Sequence, residues 1–180
     1  GNTTQQRVYD ESVSELVQNT MNGFNTCVLC YGQTGSGKTH TMFGPPGALD
    51  ATVDEEELDS DTGAVVRACV ELIKAKKHMA RLGVNVAITA KMVEIYNEEV
   101  SDLLSGNSAQ VSRTNGEVIG AIDVPLTNMN EITTFIKAGQ ARKRFAATAM
   151  NDRSSRSHTA IILTVKQSFA DSMVSSQFTL

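Results

Sequence analysis

The chain has 180 residues, enough for one domain with a buried core, and its 41% hydrophobic and 20% charged residues are ordinary for a globular protein. A net charge of −4 argues against a nucleic-acid-binding module, whose footprint is a strongly basic face. No apolar run approaches the roughly 20 residues that span a bilayer, so neither nucleic acid nor membrane is expected as a partner. The polar start, Gly1 to Gln6, shows no secretory signal, and an odd count of three cysteines fits reduced thiols in the cytoplasm.

The apolar spacing of Val8, Val13, Leu16, Val17 and Met21 predicts a first helix over residues 5–21, with Thr3 and Gln6 as a capping box and Gly23 as its stop. The run Thr26-Cys27-Val28-Leu29-Cys30-Tyr31 then reads as a strand buried on both faces. Cys27 and Cys30 form C-x-x-C, but i and i+3 on a strand face opposite ways, so these thiols, like Cys69 on a later helix, are expected in the core rather than on a metal. Residues 44–62, with Pro45, Pro46, Gly47 and the acidic run Asp54 to Asp59, are expected as an exposed, mobile loop held extended by its own charge.

A second long helix is predicted over residues 63–80, burying Val66, Cys69, Val70 and Ile73, and ending in a solvated basic turn with Lys74, Lys76, Lys77, His78 and Arg81. The alternation of Val84, Val86, Ile88, Ala90 and Met92 predicts a long strand towards Tyr96. Glycines and asparagines punctuate residues 105–127 into short β-like pieces, among them Val118-Ile119 and Ile122-Asp123-Val124. A third helix should start after Asn128 with Glu131 in its cap, bury Met129, Ile132, Phe135 and Ile136, and end in a solvated Arg142-Lys143-Arg144. Strands over residues 160–165 and 174–180 follow. Such alternation of helices and strands marks an α/β layered domain.

Between the first strand and the next helix, Gly32-Gln33-Thr34-Gly35-Ser36-Gly37-Lys38-Thr39 satisfies G-x-x-x-x-G-K-[ST] in full. Glycines let the backbone curl so that successive amides face inward and form an anion-binding concavity, and the helix that follows presents its positive end to the same place. Lys38 is placed to reach β- and γ-phosphates and the Thr39 hydroxyl to ligate Mg²⁺. The motif specifies a binder of nucleoside di- or triphosphate, not which base or which reaction. A second polar cluster, Asn151-Asp152-Arg153-Ser154-Ser155-Arg156-Ser157-His158, lies between a helix and an apolar strand. By itself it reads as a solvated loop; beside a phosphate loop it suits positioning of water and completion of a metal shell.

Three segments together are similar to kinesin motor domains. Tyr31 to Met42 resembles the kinesin phosphate-loop segment, and Asn151-x-x-Ser154-Ser155-Arg156-Ser157-His158 resembles the first nucleotide-sensing switch. Glu94-Ile95-Tyr96-Asn97-Glu98-Glu99-Val100-Ser101-Asp102-Leu103-Leu104 looks like the strand and turn leaving the middle of the kinesin core. Order and spacing agree over nearly the whole chain.

The resemblance implies a phosphate-loop NTPase-type three-layer sandwich with a mixed central sheet, incomplete at both ends. It implies ATP or ADP with Mg²⁺ as ligands and a microtubule (tubulin) track as partner, reached mostly through elements outside these residues, with cytoplasm and cytoskeleton as location. Residues 32–40 would hold the nucleotide, His40 beside the purine, while Ser155 would approach Mg²⁺ together with Thr39. Asn151 and Ser154 would organise the attacking water, and Arg156 would pair with an acidic residue of a second switch expected after Leu180. Without that switch the 180 residues alone should bind nucleotide weakly and hydrolyse it negligibly. Strand neighbours expected in the family would also be missing from the phosphate-loop strand, leaving a sheet edge able to pair with another copy. Two other functions are weighed: a non-hydrolysing kinesin-like nucleotide- or tubulin-binding module, and an unrelated phosphate-loop kinase or GTPase. A GTPase would need an Asn-Lys-x-Asp type guanine reader, which the sequence lacks.

Overall fold

Hydrophobic alternation along two long strands sets the frame of the molecule, a computed structural model that describes residues 3–49, 56–149 and 156–180. Strand β2 (Asn85–Tyr96) pairs antiparallel with β7 (His158–Ser168) from Asn85↔Ser168 to Ile95↔His158. In that register Val86, Ile88, Ala90 and Met92 share a face with Ile161, Leu163 and Val165, all buried. Strand β8 (Met173–Thr179) returns antiparallel beside β7 and adds Phe178 to this face. Strand β1 (Thr26–Cys27) pairs parallel with β8, which makes the sheet mixed. On the far side of β2 follow β3 (Glu99–Asp102), β4 (Ser108–Val111) and β5 (Val118–Ile119), and β6 (Val124–Pro125) also pairs with β2. The described strands thus run β1-β8-β7-β2-β3-β4-β5.

The helices cover the apolar face. They are α1 (Gln5–Ser12), α2 (Ser14–Met21), α3 (Lys38–Phe43), α4 (Ala64–Arg81) and α5 (Met129–Ala149). Val13, Val17, Val66, Cys69, Val70, Ile73, Ile132, Phe135 and Ile136 join the strand residues in one core. Burying side chains of this size stabilises by about 1.5–3 kcal/mol each. At the start of α5, Asn128 Oδ1 accepts from the Glu131 amide at 3.0 Å and Glu131 accepts from Thr127, the cap the sequence announces. The opposite sheet face is different. A second, smaller cluster there (Val93, Ala109 and Val118, with Ala160 and Ile162 against it) contains no helical residue. Lys91 reaches across this face to the Val118 carbonyl at 2.9 Å and Asp123 at 3.3 Å. The α/β assignment with a mixed sheet holds, with the helical residues of the core gathered against one face of that sheet. No helix among the described residues is long and apolar enough to cross a membrane.

Four expectations are corrected. The helix over residues 5–21 is two helices, because Val13 turns to φ −124°, ψ −42° while its amide keeps its bond to the Tyr9 carbonyl. The cap is Thr4, whose hydroxyl accepts from the Arg7 amide at 3.2 Å, rather than Thr3 with Gln6. The strand at residues 26–31 is short and not buried on both faces. It lies at the sheet edge, so Leu29 is 83% and Tyr31 94% exposed, and Cys27 is exposed rather than in the core; Cys30 is half-buried, and only Cys69 is buried. Residues 50–55 lie outside the described residues; Glu56, Glu57, Asp59, Ser60 and Asp61 are exposed as expected, while the two ends of the segment are tied to the core. Leu49 is buried, Leu58 packs on the core, and the Asp59, Ser60 and Thr62 carbonyls accept from the buried Arg67 guanidinium. At the base of that segment a Cβ on Gly63 would run into the backbone of Phe43 and Gly44, so a side chain there is excluded.

Candidate functional site

The phosphate-loop sequence sits where the motif requires, between β1 and α3. Gly35 (φ 81°) and Gly37 (φ 92°) adopt left-handed backbone that L side chains avoid, with nothing within 4 Å of a Cβ at either position. Their role is conformational: they curl the chain, which closes with the Ser36 amide on the Gln33 carbonyl at 3.2 Å. Helix α3 starts at once, with the Thr41 amide on the Gly37 carbonyl at 2.9 Å. Lys38 turns back over the loop, its Nζ donating to the carbonyls of Gly32 and Gln33 at 2.8 Å each. Gln33, Thr34, Gly35, Ser36, Gly37, Thr39 and His40 are exposed, and Gly32 and Lys38 half-buried. An inward lysine over a curled, accessible backbone is the donor set that a di- or triphosphate requires. The arrangement fits nucleotide phosphates.

The second cluster is only partly visible. Asn151, Ser154 and Ser155 lie outside the described residues. Arg156 and His158 are exposed, and the Ser157 Oγ is buried without a hydrogen-bond partner. The two flanks of the cluster are well placed. Before it, α5 carries Lys143 and Arg144; after it, β7 begins with His158 and Thr159. Of these, Lys143, Arg144 and Thr159 line one cavity of about 430 Å³ together with Thr39, His40 and Met92. The fold therefore gathers the end of the phosphate-loop motif and both flanks of the second cluster around a common space.

Two contributors to this region escape sequence reasoning. Lys143, expected in solvent, is half-buried and donates to Thr159 Oγ1 at 2.5 Å. Burial lowers its ammonium pKa, and the charge of Glu94, 2% exposed and opposite Thr159 in the β2–β7 register, works against that fall. A signal existed: Lys143 lies seven residues after Ile136, two helical turns along the same buried stripe. Gln5, 8% exposed, donates through Nε2 to both the ring and the carbonyl of His40, 35 residues away. No periodicity points to that contact. Elsewhere, burial and the Glu71 hydrogen bond raise the Tyr9 phenol far above its ordinary range, which marks Tyr9–Glu71 as a structural tie between α1 and α4. Among the described residues no group of three or more His, Cys, Asp or Glu side chains is arranged to hold a metal, the C-x-x-C pair included.

A mixed sheet with helices on its apolar face, and a lysine-bearing glycine loop between strand and helix, define a phosphate-loop NTPase-type domain. The sequence matches the kinesin motor domain over residues 1–180, and the chain belongs to that family. It is 38% identical over 166 residues to kinesin-like protein KIN-14A of Oryza sativa subsp. japonica, covering 91% of this chain and 16% of that protein. With kinesin-like protein KIN-14O of Arabidopsis thaliana it shares 35% identity over 164 residues, covering 91% and 13% respectively. The fold matches the solved structure of a fast kinesin with a TM-score of 0.84 at 28% identity, covering 99% of this chain and 49% of that one. The chain thus spans less than a fifth of the length of these curated relatives and about half of the solved kinesin.

Proposed function

We propose that these residues form the nucleotide-binding half of a microtubule motor that couples Mg-ATP hydrolysis to movement along, or remodelling of, microtubules in the cytoplasm. The observation that carries the reading is the curled loop at residues 32–39 with the Lys38 ammonium turned into it. In this reading Lys38 exchanges its two carbonyl acceptors for phosphate oxygens, and loop amides other than that of Ser36 supply further donors. Thr39 and Ser155 would hold Mg²⁺, which when bound neutralises phosphate charge. Asn151 and Ser154 orient the attacking water, Arg156 closes the site against a second switch, and His40 lies beside the purine. The intact loop, within a family match across the whole chain, favours a cycling motor over a non-hydrolysing module.

Because the chain spans about half of the solved kinesin, we assign turnover to the complete domain. The 180 residues by themselves bind nucleotide weakly and turn it over negligibly. Calorimetric titration with Mg-ADP and Mg-GDP tests the reading. Mg-ADP should bind, and Lys38→Ala should weaken it by about 10- to 100-fold, the worth of one charge-assisted phosphate contact. Equal affinity in wild type and Lys38→Ala would remove the basis for the proposal, and tighter binding of Mg-GDP would turn it towards a GTPase. Steady ATP turnover by the purified chain, abolished by Lys38→Ala, would contradict the assignment of activity to the complete domain.

A further inference from the structure

Helix α3 carries Lys38 and Thr39, yet none of its six residues is buried, and Met42 and Phe43 touch the core only in part. Its orientation therefore depends on a few specific bonds. The Gln5 amide, at the first position of α1, donates to His40 Nδ1 at 3.0 Å and to the His40 carbonyl at 2.5 Å. A carbonyl only accepts, so the amide nitrogen and not its oxygen must face it. That nitrogen has two hydrogens for two acceptors, which places the ring proton of His40 on Nε2. Gln6, one residue on, does something else. Its Oε1 accepts from Nη1 of Arg67, the buried guanidinium of α4 that grips the Asp59, Ser60 and Thr62 carbonyls. The first turn of α1 thus holds both ends of the acidic segment, α3 through Gln5 and α4 through Gln6.

We infer that Gln5 is a positioning residue for the nucleotide site: it fixes the first turn of α3, and with it Lys38 and Thr39, from outside the phosphate loop. The inference rests on the nucleotide reading above, with Mg-ADP and Mg-pyrophosphate as probes. Gln5→Met and Gln6→Met keep side-chain length while removing the polar ends, and they separate the two jobs. Gln5→Met should lose about five- to tenfold in affinity for both probes, the equivalent of one to two hydrogen bonds. Its urea midpoint should fall no further than that of Gln6→Met, and the ¹⁵N ring signals of His40 should pass from one tautomer to an average of two. Gln6→Met should unfold at lower urea, since a buried donor loses its acceptor, yet bind both probes within about twofold of wild type. Wild-type affinity in Gln5→Met, affinity losses in both variants that track their stability, or averaged His40 tautomers in the wild type would each overturn the role of Gln5. Absence of binding by the wild type to either probe would instead overturn the nucleotide reading, and this role with it.

Discussion

Cys69 offers a test of the core that supports the site, because its thiol is 2% exposed in the middle of α4 with no charge to stabilise its ionised form. Burial pushes its pKa from the ordinary 9.0 up to about 12. The folded state therefore keeps the proton at pH values where the unfolded chain has released it. The stability tied to this group is complete below pH 9 and drains away as the pH rises through the folded value. At pH 10, one unit above the ordinary value, the loss amounts to about 1.4 kcal/mol. Replacement by alanine removes the titration and leaves a small cavity, which costs about 1–2 kcal/mol at every pH. Urea unfolding at pH 8 and pH 10 isolates the linked part: wild type should lose about 1.4 kcal/mol more than Cys69→Ala between the two. Tyr9 adds to the alkaline loss in both proteins and cancels in the comparison. Equal losses would mean that water reaches the thiol, and the burial of Cys69 in the core would be wrong.

Three further outcomes follow from particular contacts. Gly63→Ala should cost more than about 3 kcal/mol in urea unfolding, because its new methyl meets Gly44 and Phe43 backbone that cannot swing aside; an unchanged midpoint would show that the base of the acidic segment is open. Asn128→Ala should cost about 1 kcal/mol through loss of the α5 cap, read from the same curves, and a neutral result would remove the cap from the account. The exposed edge at β1 is proposed to pair with a second copy. Sedimentation should show concentration-dependent dimers that Leu29→Lys abolishes, whereas a clean monomer at high concentration would refute the pairing.

What could be read from the sequence depended on how local its cause is. Alternation along β2 and the stripe of α5 are set by which face is buried, so Val86 to Met92 and Ile132 to Ile136 were legible with their sides. The curl of the phosphate loop was legible because glycine at 35 and 37 is demanded by left-handed backbone, and Lys38 because a phosphate binder requires a cation there. Edge position is not local. The apolar run Thr26 to Tyr31 looks like a central strand, and only the sheet order β1-β8-β7 shows that nothing described flanks it. Lys143 was misread for a related reason: its stem follows the buried stripe, but its partner Thr159 lies on another element, 16 residues later in sequence.

The same distinction explains how the site is built. The groups expected to touch phosphate belong to the glycine loop and the first turn of α3, a six-residue helix with no buried residue. Direction is supplied from elsewhere in the chain. Gln5 sets the start of α3, the Gly44–Gly63 contact sets its end, and Lys143 on Thr159 ties α5 to β7 on either side of the second cluster. None of these ties adds a ligand for phosphate or Mg²⁺. They hold α3, α5 and β7 in place, and under the nucleotide reading a substitution at Gln5 should change affinity while leaving the motif itself intact.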